Sequence, residues 1–135
     1  MWKCEVVHGA DLDVDEVAAL YRASTLAERR PVADPVRFTD MVRNANLVVV
    51  ARVDDRLVGI ARSVTDGAYV TFLSDIAVDV EFQKQGIGQA LIATTREAAP
   101  RAKIVLLSAP AAVDYYPHVG FTRHDSAWVL DPLTS

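Results

Sequence analysis

Between residues 46 and 78 three strand-like segments follow one another with no helix between them: NLVVVARV, RLVGIARSV and AYVTFLSDIAV. Turns at Asp54-Asp55 and Asp66-Gly67 join them, and joints that tight admit hairpins, so the three predict an antiparallel meander. Around it strand and helix patterns alternate. Residues 3–7 are a short β-prone run, and DVDEVAALYRASTLAERR (13–30) follows as a helix. There, Asp13 with Glu16 three later makes a capping-box start, and Val17, Leu20, Tyr21 and Ser24 recur at helical spacing. Asp34 and Pro35 open a second helix with Phe38, Met41 and Val42 on one side. After the meander, GIGQALIATTREAA carries Ile87, Leu91, Thr94 and Ala98 on one helical face. Residues 103–108 read as a buried-type strand, AAVDYYPHVG as helix until Pro117, and residues 121–130 as a last strand. The predicted order is β α α β β β α β α β in one domain over residues 1–135. The fold class is α/β (α+β), a mixed, mostly antiparallel central sheet flanked by helices.

Composition narrows the function. A chain of 135 residues buries about 68% of its unfolded surface, so it needs no covalent staple. Cys4 is the lone cysteine, which excludes an internal disulfide and a paired-cysteine zinc site and fits a reducing, cytoplasmic location. The 14 basic residues are scattered and the net charge is −4, which argues against a nucleic-acid partner. No apolar run approaches the ~20 residues of a membrane helix, and the N-terminus lacks a signal-peptide pattern. A soluble protein without membrane or metal partners is expected.

The stretch QKQGIG, residues 83–88, lies where the meander ends and the longest amphipathic helix begins. Backbone N–H groups there have no intrahelical partner, the helix dipole adds positive potential, and glycines at 86 and 88 remove Cβ atoms, so a phosphate is the natural guest. No Walker loop is present. A dinucleotide fingerprint also fails, because Leu91 stands at the third glycine position and Ser108 at the acidic one. The remaining alternative is a glycine-softened turn without a ligand.

With LSDIAVD before it and an apolar helix after it, this Q-x-x-G-x-G resembles the acetyl-CoA-binding motif of the GNAT N-acetyltransferase superfamily. DYYPHVGF resembles the family's Tyr-x-x-x-Gly-Phe helix end, with Tyr116 at the tyrosine position, and the element order is similar over nearly the whole chain. Within the superfamily, VGIARSVTDGAYVTFLSDIAVDVEFQKQGIGQAL and VDYYPHVGF look closest to small bacterial members and to serotonin-type arylalkylamine acetyltransferases of plants and cyanobacteria.

The resemblance implies acetyl-CoA as co-substrate, a primary amine of a small molecule as acceptor, no metal, and a possible homodimer. The coenzyme's pyrophosphate would meet the N–H groups of Lys84, Gln85, Gly86, Ile87 and Gly88, with the Gln83 side chain closing one side. Its pantetheine arm would add like a strand to the edge around Ile76, Ala77 and Val78, if a bulge splays that strand. A Val78 N–H would face the thioester oxygen. Asp75 is the candidate base, the alternative being an acid satisfied by backbone or an arginine. Tyr116 is the candidate general acid for the leaving thiolate, the alternative being a packing aromatic, and Tyr115 is read as packing or acceptor wall. Ala109 departs from the family, which often has asparagine there, and the last strand pair looks short. Cys4 with His8, and His118 with His124 and Asp125, have the wrong spacing for a nucleophile pair or a metal site, although His124 borders the acceptor end in this reading. Arg29-Arg30 caps the first helix or meets the coenzyme's 3′-phosphate. Two other classes stay open: a noncatalytic acyl-CoA-binding or regulatory module, and a nucleotide-binding protein using the same turn.

Overall fold

A five-stranded sheet forms the centre of the computed structural model, which describes residues 1–134. Its strands are β1 (Trp2–Val7), β2 (Leu47–Val53), β3 (Arg56–Thr65), β4 (Val70–Val78) and β5 (Lys103–Val105), side by side in chain order. The first three pairings are antiparallel and β4 with β5 is parallel. Helices α1 (Val14–Ala23) and α2 (Pro35–Arg43) cover one face, and α3 (Ile87–Ala98) covers the other. Val48 and Val50 enter the α1–α2 core while Val49 and Ala51 enter the α3 core. Burial on both faces is why this strand reads as an unbroken apolar run.

Local chemistry sets the helix ends. The Asp13 carboxylate accepts the N–H groups of Asp15 and Glu16, and Asp34 accepts that of Arg37 ahead of Pro35. Glu16 leaves the expected capping box and instead grips Arg52 of β2 with both oxygens, at 2.9 and 3.0 Å. The helix expected over residues 13–30 is also shorter. It stops at Ala23, Thr25 takes a left-handed conformation with φ 73°, and a 3-10 turn at Leu26–Arg29 follows. Ser24 makes the break affordable to the backbone: its hydroxyl donates to the Tyr21 carbonyl and accepts from the Leu26 N–H.

The feature that positions the site is in β4. Arg62 pairs with Asp75 and the next β3 residue, Ser63, pairs with Leu73, so Ser74 is an extra residue. Such a bulge bends its strand. Pairing with β5 covers only Val70, Thr71 and Phe72. Beyond them β4 and β5 part, leaving residues 74–78 with one open edge.

The C-terminal third departs from the sequence reading. The strand expected over 103–108 ends at Val105. AAVDYYPHVG forms not an α-helix but 3-10 turns at Pro110–Ala112 and Tyr116–Val119, with N–H to carbonyl bonds three residues apart: Ala112 to Ala109, Tyr115 to Ala112, His118 to Tyr115. Two prolines within eight residues remove the donors that an α-helix would need. Residues 121–130, expected as a strand, pair with no strand among the described residues.

Candidate functional site

The loop from β4 to α3 makes two left-handed steps, at Lys84 (φ 64°) and Gly86 (φ 88°), before the helix begins at Ile87. Alternation of that kind turns successive N–H groups toward one side, and the first N–H groups of α3 add to them. Ile87 is buried against the α3 core and anchors the helix start, while Gln83, Lys84, Gln85 and Gly86 are exposed. Gly88 is bare for a second reason: a Cβ there would lie 3.0 Å from the Tyr115 hydroxyl. Tyr115 therefore stands over the helix start and lines the cradle, a place the sequence did not show.

Backbone geometry decides which β4 groups are free. The Asp79 N–H donates to the Val58 carbonyl at 2.9 Å, so in the antiparallel register Ala77 also points its backbone groups at β3, opposite Ile60. Ile76 and Val78 then point theirs to the open edge. This corrects the expectation for Ala77, whose backbone belongs to the ladder and whose side chain is buried in the α1–α2 core. The Gln83 side chain is likewise engaged, donating to the Val78 carbonyl at 3.0 Å and tying the loop to the strand end. The Val78 N–H keeps its outward direction.

Two openings flank the split between the strands. The larger, about 640 Å³, runs from Gln83, Lys84, Gly86 and Gly88 past Val78 to Tyr115. The smaller, about 120 Å³, is walled by Leu26, Leu73, Leu106 and Leu107, with Arg29 and Arg30 at one side. Ile76, Ala112 and Tyr116 line both, so these three residues stand at the junction. Ala109, read from the sequence as a departure from the family's frequent asparagine, lines the small recess and adds to its apolar wall. The Tyr116 ring is held edge-on between Tyr115 at 5.2 Å and Phe121 at 5.4 Å. Burial, then the neighbouring Tyr115, pushes its phenol above the ordinary value of 10.0.

Asp75 is not at this junction. It shares a face with Ala77, as alternation requires, but that face is the α1–α2 core, and its side chain is 0% exposed. The buried Tyr21 hydroxyl and Arg62 Nε each donate to one carboxylate oxygen at 2.6 Å, and Arg30 Nε donates to the other. Burial alone would raise its pKa, but the Arg62 charge and the three donors outweigh it and hold the carboxyl below 3.8. A carboxylate sealed and stabilised in that way has no affinity for a substrate proton near neutrality. The expected base is thus a structural anion, by the arginine alternative.

Arg30 has a role that the sequence reading missed. It does not cap α1: besides Asp75 it donates to the Ser74 carbonyl and to the Arg29 carbonyl, each at 2.8 Å, and so locks the α1–α2 connection onto the bulge. Arg29 lines the small recess and not the cradle. Cys4 is a free thiol pushed up by burial, and His124 accepts the Ser126 N–H and lines neither opening. Among the described residues no three His, Cys, Asp or Glu side chains gather as a metal site, and no helix is long and apolar enough to cross a membrane.

Comparison with known proteins agrees with this geometry. The family described as "Acetyltransferase (GNAT) domain" matches residues 19–131. A GNAT-family acetyltransferase from Streptococcus pneumoniae superposes with a TM-score of 0.75 at 20% identity, over 98% of this chain and 100% of that one. An aminoglycoside acetyltransferase from an uncultured soil metagenomic sample, solved with trehalose, gives 0.72 at 20% identity over 99% and 97%. An aminoglycoside N-acetyltransferase solved in complex with CoA gives 0.71 at 15% identity over 98% and 95%. At such identities the likeness is one of fold. In sequence, 71 residues are 34% identical to "GCN5-related N-acetyltransferase 2, chloroplastic" of Arabidopsis thaliana, which is 50% of this chain but only 28% of the plant protein.

Proposed function

The chain belongs to the GNAT acetyltransferase family, and from that premise we propose that it moves the acetyl group of acetyl-CoA to the primary amine of a small molecule by direct attack. One arrangement carries the reading: the N–H cradle at 84–88, the open β4 edge and Tyr116 follow one cleft, whose inner end meets a second recess at Ile76 and Tyr116. Pyrophosphate suits the cradle, the outward groups of Ile76 and Val78 suit the amides of the pantetheine arm, and the recess suits the acceptor.

In the transfer the amine nitrogen bonds to the thioester carbon, the carbon–sulfur bond breaks, the amine releases a proton and the departing sulfur gains one. The Val78 N–H faces the side where the thioester oxygen gathers charge. Tyr116 donates to the sulfur and recovers its proton from water. A phenol is protonated at neutral pH with or without the upward push of burial, and that is the form a general acid needs. Water takes the proton from the amine, since Asp75 is sealed. We also propose a homodimer, which the exposed apolar C-terminal segment supports, and a cytoplasmic location, which the lone free Cys4 fits.

The test combines calorimetric titration of coenzyme A with single-turnover kinetics of Tyr116→Phe. The variant keeps the ring, so affinity stays within a few fold while the chemical step slows by roughly 10² to 10⁴. Wild-type speed in the variant would leave Tyr116 a packing residue. Tight binding without turnover of any amine by either protein would make the chain a noncatalytic acyl-CoA-binding module.

A further inference from the structure

We infer that the small recess selects an amine that carries its own carboxylate on a compact apolar body, with Arg29 as the anchor for that carboxylate. The inference rests on the acetyl-transfer reading and names its acceptor class.

Three observations lead there. Leu26, Leu73, Leu106 and Leu107 give the recess an apolar wall beside the polar Ser74, and its volume of about 120 Å³ limits what can be enclosed. Among the described residues no carboxylate lines it, because the nearby acid, Asp75, lies behind the wall with a side chain 0% exposed and two arginines on it. The third observation distinguishes the two arginines. Arg30 uses Nε, Nη1 and Nη2 on Asp75, the Arg29 carbonyl and the Ser74 carbonyl. Arg29 has its backbone held by that contact, yet among the described residues its guanidinium has no ion-pair or hydrogen-bond partner.

A fixed backbone bearing a free guanidinium at the rim of an apolar recess is a receptor for one planar anion. The guanidinium fork matches a carboxylate with two parallel N–H to O bonds. A single free fork balances one negative charge, which favours a carboxylate over a doubly charged phosphate. A polycation meets the opposite conditions: a free guanidinium, no acid among the described residues that line the recess, and little space. That separates this chain's acceptor from the aminoglycosides named for two of the similar structures. With its carboxylate on Arg29 and its body among the leucines, the acceptor directs its amine inward to the junction at Ile76 and Tyr116.

The experiment uses matched pairs that differ only in the carboxylate: leucine with isoamylamine, phenylalanine with phenethylamine, and ω-amino acids with the alkylamines of equal length, with one aminoglycoside added. Each is titrated calorimetrically into the protein with and without saturating coenzyme A, and assayed with acetyl-CoA by thiol release. Wild type should favour the carboxylate member of at least one pair by roughly 10- to 100-fold, the range for one charge-assisted hydrogen-bonded contact. Arg29→Ala should remove that preference through KM and affinity, leaving kcat and the carboxylate-free partner unchanged, and Arg29→Lys should retain part of it. The side chain is exposed and unpartnered, so neither variant disturbs the fold. Equal treatment of every pair by wild type, an unchanged preference in Arg29→Ala, or a better aminoglycoside overturns the inference. Failure to bind coenzyme A, by contrast, overturns the acetyl-transfer reading, and the titrations without coenzyme A still read the recess.

Discussion

Asp75 shows how one side chain's surroundings decide its chemistry. Two guanidiniums and a buried phenol converge on a fully covered carboxylate, and each guanidinium is also fixed elsewhere: Arg62 on Ser74 and the Met41 carbonyl, Arg30 on the Ser74 and Arg29 carbonyls. Removing the negative charge leaves Arg62, only 9% exposed, without its counter-ion. Breaking a buried pair from one side costs about 3–5 kcal/mol, so Asp75→Asn should be strongly destabilised in denaturant titrations near neutral pH. The pH dependence has a defined sign. Because the folded-state pKa is depressed, the ionised carboxylate contributes its full stability above the unfolded value of ~3.9 and loses it as pH falls through the lower folded value. The gap between wild type and Asp75→Asn should therefore be constant above about pH 5 and narrow below about pH 4. A variant as stable as wild type that loses turnover chiefly below neutral pH would restore the base role to Asp75.

At the scale of elements, the cradle depends on a backbone conformation that glycine alone adopts without strain. Gly86 sits at φ 88°, and a Cβ there would meet nothing nearer than the Trp2 ring at 4.0 Å. There is room in the fold but not in the torsion angle. Gly86→Val should stay folded with a loss of about 1–3 kcal/mol, while the left-handed step that aims the N–H groups is lost and coenzyme A binding with it. Calorimetry on the folded variant checks this, and undiminished affinity would make the loop an ordinary turn. QKQGIG was legible because a glycine pair between a strand and a helix is a local signal. So were the meander, whose turn residues are adjacent in sequence, and the Asp13 and Asp34 caps. What was not legible depends on partners. The Ser74 bulge exists only relative to β3, the direction of Ala77's backbone follows from the Asp79 bond to Val58, and Arg30 meets Asp75 across 45 positions. The mirage of an α-helix at 111–117 arose from apolar spacing; the 3-10 bonds that replaced it follow from Pro110 and Pro117.

For the whole molecule, the unpaired C-terminal segment is the feature at odds with a self-contained monomer. Trp128 is 92% exposed, Leu130 99% and Leu133 104%, and Val105 and Leu107, at and just past the end of β5, are also exposed. Single exposed apolar residues are ordinary, but several within six positions mark an interaction surface. The open outer edge of β5 points the same way, because a strand edge presents unpaired N–H and carbonyl groups to another chain. A second copy offers both what the tail lacks, an apolar cover, and what the edge lacks, a strand. The proposed homodimer thus predicts a two-fold mass in sedimentation velocity at concentrations on the order of 10 μM, an affinity ordinary for a specific interface. Trp128→Ser combined with Leu130→Ser should shift the protein toward monomer. Coenzyme A affinity should hold within a few fold, because neither residue lines the cradle or the recess. A wild-type monomer at that concentration would sink the dimer, and a dimer untouched by the double substitution would move its interface away from the tail.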